Sequence, residues 1–148
     1  MTSPELILRA ASLEDARLLW EWRNDALTRE NSMNTEEIPW ESHREWLEKS
    51  LANPSRHIQI GEEGGLAVAS IRFDRLERGW ELSWTVAPTA RGRGVGTRAV
   101  QAALRARPGS PVWARVKVDN AASAAIARKA GMQLSHRDQQ LLYFVSES

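Results

Sequence analysis

The segment Arg91-Gly92-Arg93-Gly94-Val95-Gly96 places three glycines and two arginines together just before a run with helical character. Glycine reaches backbone angles closed to other residues and lets a ligand approach the main chain, so several amide N–H groups can converge on one anion. The N-terminus of the following helix adds a partial positive charge. Arg91 and Arg93 add full charges, and a guanidinium can grip a phosphate through two hydrogen bonds. Two familiar phosphate loops do not fit. A nucleoside-triphosphate loop needs Gly-Lys-Ser/Thr, whereas Gly96 is followed by Thr97 with no lysine. A dinucleotide fingerprint needs its third glycine where Thr97 stands, and it opens near the first strand. The alternative to an anion cradle is a tight turn before an ordinary helix.

The elements that must position this loop can be read from periodicity. Leu6 to Ala10 reads as a first strand, and Ser12 with Asp15 as a capped helix start. That helix is expected to run to Asp25, with Ala16, Leu19, Trp20 and Arg23 on one face. Residues 31–35 read as a polar loop. Pro39 suits the first turn of a second helix, in which Trp40, His43, Leu47 and Leu51 recur at helical spacing. Strands follow at His57–Ile60, Leu66–Phe73 and Trp80–Val86. In the last of these Trp80, Leu82, Trp84 and Val86 share one face, and Glu81, Ser83 and Thr85 the other. The glycine loop then opens a helix from Val95 to Arg107, broken by Pro108 to Pro111. A strand at Val112–Val118, an alanine-rich helix at Asn120–Ala130 closed by Gly131, and a hairpin at Met132–His136 and Leu141–Val145 complete the chain. The order β-α-α-β-β-β-α-β-α-β-β implies an α/β fold with a sheet covered on both sides.

Composition narrows the function. The 148 residues suffice for one domain, 1–148. A formal net charge of +1 provides no general field toward nucleic acid or membranes. Cysteine is absent, which excludes disulfides, thiolate metal sites and a cysteine nucleophile and fits a cytoplasmic protein. The start lacks the basic and apolar regions of a signal peptide, and no apolar run approaches a membrane span. The three histidines show no metal-ligand spacing, so no metal is expected.

The run Val86-Ala87-Pro88-Thr89-Ala90-Arg91-Gly92-Arg93-Gly94-Val95-Gly96, ending a strand and opening a helix, resembles the pyrophosphate-binding signature of the GNAT acetyltransferase superfamily. Arg91, Gly94 and Gly96 fill its fixed positions. A second run, Asn120 to Met132, resembles the next signature of that family through Asn120, Ser123, Ile126, Lys129, Gly131 and Met132. The element order is similar over essentially the whole chain. The resemblance implies a three-layer α/β/α sandwich around a mixed, largely antiparallel sheet whose fourth and fifth strands splay apart. It implies acetyl-CoA as co-substrate, with the pyrophosphate on the amides of Arg91, Gly92, Arg93, Gly94, Val95, Gly96 and Thr97. Val86 would pair with the pantetheine arm, and Asn120 and Ser123 would contact the cofactor near it.

In the resembled family the amine attacks the thioester directly, and the missing cysteine is compatible with that. An alkyl ammonium with a pKa of about 10 must first lose a proton. Glu81, five residues before Val86, stands where several members of the family carry a catalytic glutamate; it is either the base or a polar residue on the less apolar strand face. Ser83 shares that face and could orient water or the acceptor. Many relatives use a tyrosine of the second signature as acid, but Ala127 occupies that position, and the only tyrosine is Tyr143 in the terminal hairpin.

The acceptor pocket of the family is built from the first two helices. Here these carry Trp20-Glu21-Trp22-Arg23-Asn24-Asp25 and Trp40-Glu41-Ser42-His43-Arg44-Glu45-Trp46, a pattern similar to a subgroup that acetylates nucleotide-linked amino sugars. Arg23, Asn24, Trp40 and His43 are the residues this implies for the acceptor; the alternative is that the tryptophans are core anchors. A protein α-amine is a second acceptor, and a non-catalytic acyl-CoA sensor a third reading. The expected partner is a small-molecule amine, without nucleic acid or membrane, bound by a monomer or a homodimer.

Overall fold

The computed structural model describes residues 5–107 and 109–147. Residues 1–4 at the start searched for a signal segment, Pro108 of the expected break, and residue 148 lie outside the described residues. Seven strands form one sheet: β1 (Leu6–Ala10), β2 (Arg56–Glu63), β3 (Leu66–Arg75), β4 (Trp80–Val86), β5 (Val112–Lys117), β6 (Gln133–Arg137) and β7 (Leu141–Ser146). Their spatial order is β1-β2-β3-β4-β5-β7-β6. Every neighbouring pair is antiparallel except β4 and β5. That parallel pair is also the shortest, joined only at Trp80↔Val112 and Glu81↔Trp113. Beyond these positions β4 stays zipped to β3 as far as Val86, while β5 turns to β7.

The helices are α1 (Ala16–Asn24), α2 (Ala26–Glu30), α3 (Trp40–Ala52), α4 (Val95–Arg105) and α5 (Ala121–Lys129). The expected start at Ser12 is present as a short 3-10 turn. Its hydroxyl accepts from the Glu14 amide, and Asp15 accepts from the Ser12 amide at 2.9 Å. Three expectations need correction. The first helix stops at Asn24, where Asp25 leaves helical geometry and caps the separate α2 through the Thr28 amide; a five-residue helix is too short to leave a periodic signal. Pro39 is the N-cap of α3 rather than part of its first turn, and Leu51 is exposed while Ser50 is buried. At the end of α5, Gly131 takes φ 103° and the Met132 amide returns to the Ala127 carbonyl, the expected left-handed cap.

Alternate residues of β3 show how the layers lie. Phe73 meets the Arg107 guanidinium just beyond α4, whereas Arg72 lies over the Trp46 ring of α3. Successive side chains on a strand point to opposite faces, so α3, with α1 packed on it, covers one face and α4, with α5, covers the other. The three-layer arrangement and the parting of β4 from β5 agree with the expectation from sequence. The core carries Ile60, Ile71, Phe73, Val100 and Phe144 without exposure, and Leu47 anchors α3 in the same way. The same helix carries His43 and Trp46, so that anchor also fixes their positions. Leu47→Ala is expected to cost about 2–5 kcal/mol, read by denaturant unfolding.

Candidate active site

The three glycines of the loop serve different purposes. Gly92 and Gly94 take φ of 78° and 73°, in the region side chains avoid, and Gly94 is the N-cap of α4. Gly96 is required for space instead: a Cβ there would lie 2.4 Å from Ile126 Cδ1 and 3.1 Å from Val86 Cγ2. The loop therefore turns sharply and α4 then presses against both β4 and α5. Arg91 donates to Asp25 and to Thr28 Oγ1 of α2, and this pairing holds the Asp25 carboxyl below its ordinary value. Lys117 of β5 donates to the Glu30 carbonyl at 3.1 Å. These two ties hold α2 across the place where β4 and β5 separate.

A groove of about 510 Å³ runs along this region. Of the residues expected at the cofactor, Val86, Arg91, Gly92, Gly94, Val95, Gly96, Thr97, Asn120 and Ser123 line it. Arg93 does not; its carbonyl accepts from Arg98 Nη1 instead. The Asn120 side chain caps α5 by accepting from the Ser123 amide at 3.1 Å. The opposite wall, including Thr28 and Ser32, comes from α2 and the residues after it, which the sequence reading left out of the site. Lys129 at the edge is a further cation.

A second cavity of about 400 Å³ lies under α1 and α3. It shares Trp84 and Thr85 with the groove, so the two meet on β4 where the strand has lost its β5 partner. Arg23, His43 and Ser83 line it, together with Trp22, Trp46 and Arg72, whose roles the sequence did not signal apart from Trp46 following His43 at helical spacing. Asn24 and Trp40 do not line it. The Asn24 carboxamide donates to the Ile38 carbonyl and accepts from the Ile38 amide, both at 2.8 Å. Trp40 packs edge-on to Trp20, whose indole N–H also reaches Ile38. Both hold the loop before α3 in place.

The polar groups of this cavity are unusual. Arg23 Nη1 and His43 Nδ1 are buried without a hydrogen-bond partner, although buried polar atoms are nearly always paired. His43 is 5% exposed, and burial first, then the Arg23 charge, pushes its imidazole below its ordinary 6.5. It is therefore neutral at physiological pH and able to accept a proton. Arg23 donates to the Asn34 carbonyl at 2.6 Å but meets no carboxylate among the described residues.

Glu81 and Ser83 are separated by position: Ser83 lines the inner cavity and Glu81 does not. The Glu81 carboxylate accepts two hydrogen bonds from Arg115, at 2.5 and 3.2 Å, and lines neither space. The reason is the register: Glu81 sits beside Trp113 in the last joined pair of β4 and β5, just short of the opening. Ala127 is fully buried, packed where the resembled family carries its tyrosine. Tyr143 stacks on His136 and donates to Asp138, also outside both spaces. Among the described residues no group of side chains could hold a metal ion, and no helix is long and apolar enough to cross a membrane.

The family model described as Acetyltransferase (GNAT) domain matches residues 5–133. Among solved structures, spermidine N-acetyltransferase from Vibrio cholerae, in complex with CoA and spermine, superposes with a TM-score of 0.85 at 15% identity, over 96% of this chain and 95% of that one. The aminoglycoside acetyltransferase AAC(6')-Ib, in complex with coenzyme A and kanamycin, gives 0.82 at 18% identity, over 96% and 94%. A domain from Methanocaldococcus jannaschii gives 0.84 at 18% identity, over 98% and 99%. No curated protein sequence matches the chain.

The depressed His43 pKa has a definite consequence for stability. Since folding lowers it, the unfolded chain binds the extra proton as pH falls through 6.5, and the native state loses stability there. Charged Arg23 on α1 and Arg72 on β3 line the same cavity and oppose protonation. Unfolding measured from pH 7 to pH 5 should show declining stability, flattened in His43→Gln. The lowered carboxyls of Asp15 and Asp25 act only below their ordinary 3.8, outside that window.

Proposed function

The chain belongs to the acetyltransferase (GNAT) domain family, and from that premise we propose that it transfers the acetyl group of acetyl-CoA to the nitrogen of a small primary amine in the cytoplasm. The observation that carries this reading is the meeting of two spaces at Trp84 and Thr85, one lined by the glycine loop and the other by His43. Bound acetyl-CoA supplies an activated thioester. The residues present suit it: two glycines in left-handed geometry, the α4 N-terminus, Arg91 and Lys129 all favour a pyrophosphate. The half of β4 without a β5 partner suits an extended amide-bearing arm.

We assign proton removal to His43. Of the side chains lining the inner cavity, only Arg23, Arg72 and His43 carry ionisable nitrogen, and guanidinium does not give up its proton. The two arginines also disfavour the ammonium form of an entering amine, so more of it is present as nucleophile. Ser83 is placed to orient water or the acceptor. Glu81, engaged by Arg115 outside the cavity, is given a structural role here. With Ala127 buried and Tyr143 elsewhere, thiolate departs without tyrosine help; a thiol of pKa about 8.5 is a tolerable leaving group.

A small amine is supported by the size of the inner cavity, and the neighbouring enzymes are described with spermine and aminoglycosides. Nucleotide-linked amino sugars lose their main support, because Trp20 and Trp40 are turned onto each other rather than toward a ligand. No contact favours a protein α-amine. A buried neutral histidine beside the groove favours turnover over a silent acyl-CoA sensor.

Two measurements test this. Calorimetry should detect acetyl-CoA binding by the wild type and a loss of at least about tenfold in Gly94→Trp, whose bulk closes the backbone approach; no binding by folded wild type would end the reading. With an acceptor in hand, His43→Gln should lower kcat/KM by about 10²–10⁴, while Glu81→Gln changes it by no more than a few-fold. The reverse order would return the base to Glu81.

A further inference from the structure

The inner cavity carries an excess of positive charge that the chain itself does not neutralise. No carboxylate lines it among the described residues. Arg72 pairs with Asp74 at 2.9 Å, but that same carboxylate is shared with Arg56 at 2.5 Å. Arg23 has no acidic partner among the described residues; its Nη2 donates to the Asn34 carbonyl, and its Nη1 is buried and unpartnered. An uncompensated, partly buried guanidinium is costly to maintain, and an orphaned donor in a ligand-sized cavity is a place for a ligand's acceptor. The rest of the lining is mainly apolar and aromatic, with Trp22, Trp46, Ile38 and Ile58, joined by Ser42, Ser70 and Ser83.

Resting on the acetyltransferase reading, we propose that the acceptor is a small amine with an apolar or aromatic body and one compact anion, carboxylate or phosphonate, which Arg23 binds. The amine then lies toward Thr85, where the cavity opens to the groove, and the anion is held away from the transfer point. Such an acceptor neutralises Arg23, supplies its missing hydrogen-bond acceptor and packs on the apolar wall. A polyamine does the opposite: it brings further cations to a site without carboxylates, where like charges repel.

The test uses the full chain with saturating acetyl-CoA and follows thiol release. The probes are L-phenylalanine, L-phenylalaninamide, 2-phenylethylamine, 1-amino-2-phenylethylphosphonate and spermidine. An acid turned over at least about tenfold better in kcat/KM than its amide and than phenylethylamine, with spermidine poorest, supports the proposal. Preference between carboxylate and phosphonate identifies the anion. Arg23→Met should bring the acid-to-amide ratio close to one, chiefly through KM, with acetyl-CoA affinity unchanged by calorimetry. Arg23→Lys should keep part of the preference, which guards against a merely unfolded variant. Equal rates for acid and amide, a preference for spermidine, or an Arg23→Met ratio like that of wild type would overturn it. So would acetylation of none of the anionic amines by protein that binds acetyl-CoA, a result that leaves the acetyltransferase reading standing. Absence of acetyl-CoA binding would instead remove that reading and this one together.

Discussion

The parting of β4 from β5 governs everything else in this molecule. The two strands share only the pairs at Trp80 and Glu81. Main-chain donors and acceptors inside a fold must find partners, so the free flank of β4 beyond Leu82 is a standing demand for hydrogen bonds that the chain does not meet from β5. A parallel pair also requires a long crossover between its strands. Here the crossover is the glycine loop and α4, which delivers an anion-attracting helix N-terminus to the mouth of the gap. One topological feature thus creates both a gap that suits an extended arm and a loop that suits an anionic group.

Packing keeps that gap open and defined. On one face Gly96 lets α4 settle against Val86 and Ile126, so the loop cannot drift from the strand. On the other, α3 is anchored by Leu47 and carries His43 into the inner cavity. Across the opening, α2 is tied by Arg91 and Lys117. Arg91 therefore has two claims on it, from Asp25 in this structure and from any phosphate that enters the loop. Two arginine-to-carbonyl contacts, Arg23 to Asn34 and Arg29 to Thr35, together with Asn24 to Ile38, fix the segment between α2 and α3 above the cavity.

Local features were legible in the sequence because their causes are local. The Ser12–Asp15 cap, the loop at 91–96 and the Gly131 stop each depend on a few adjacent residues, and each is found where expected. The features that escaped depend on distant partners. Nothing near Glu81 announces Arg115, which reaches it from the adjoining strand. Trp40 read as a candidate acceptor contact because its packing on Trp20 spans a loop. The inner cavity joins α1, α3, β2, β3 and β4, so the isolation of Arg23 and His43 from neutralising partners belongs to the assembled fold alone. Helix α2 escaped for a different reason: five residues carry too little pattern to detect.

The central claim is that the unpaired half of β4 and the glycine loop act together as one binding surface. Amide hydrogen exchange of the whole chain, with and without saturating CoA, addresses it most directly. The account predicts slowed exchange in two separate stretches, Ser83 to Val86 and Gly92 to Thr97, with little change in β6 and β7. Protection confined to the loop, or centred on β6 and β7, would contradict it and mean that the gap between β4 and β5 is not where the cofactor arm lies.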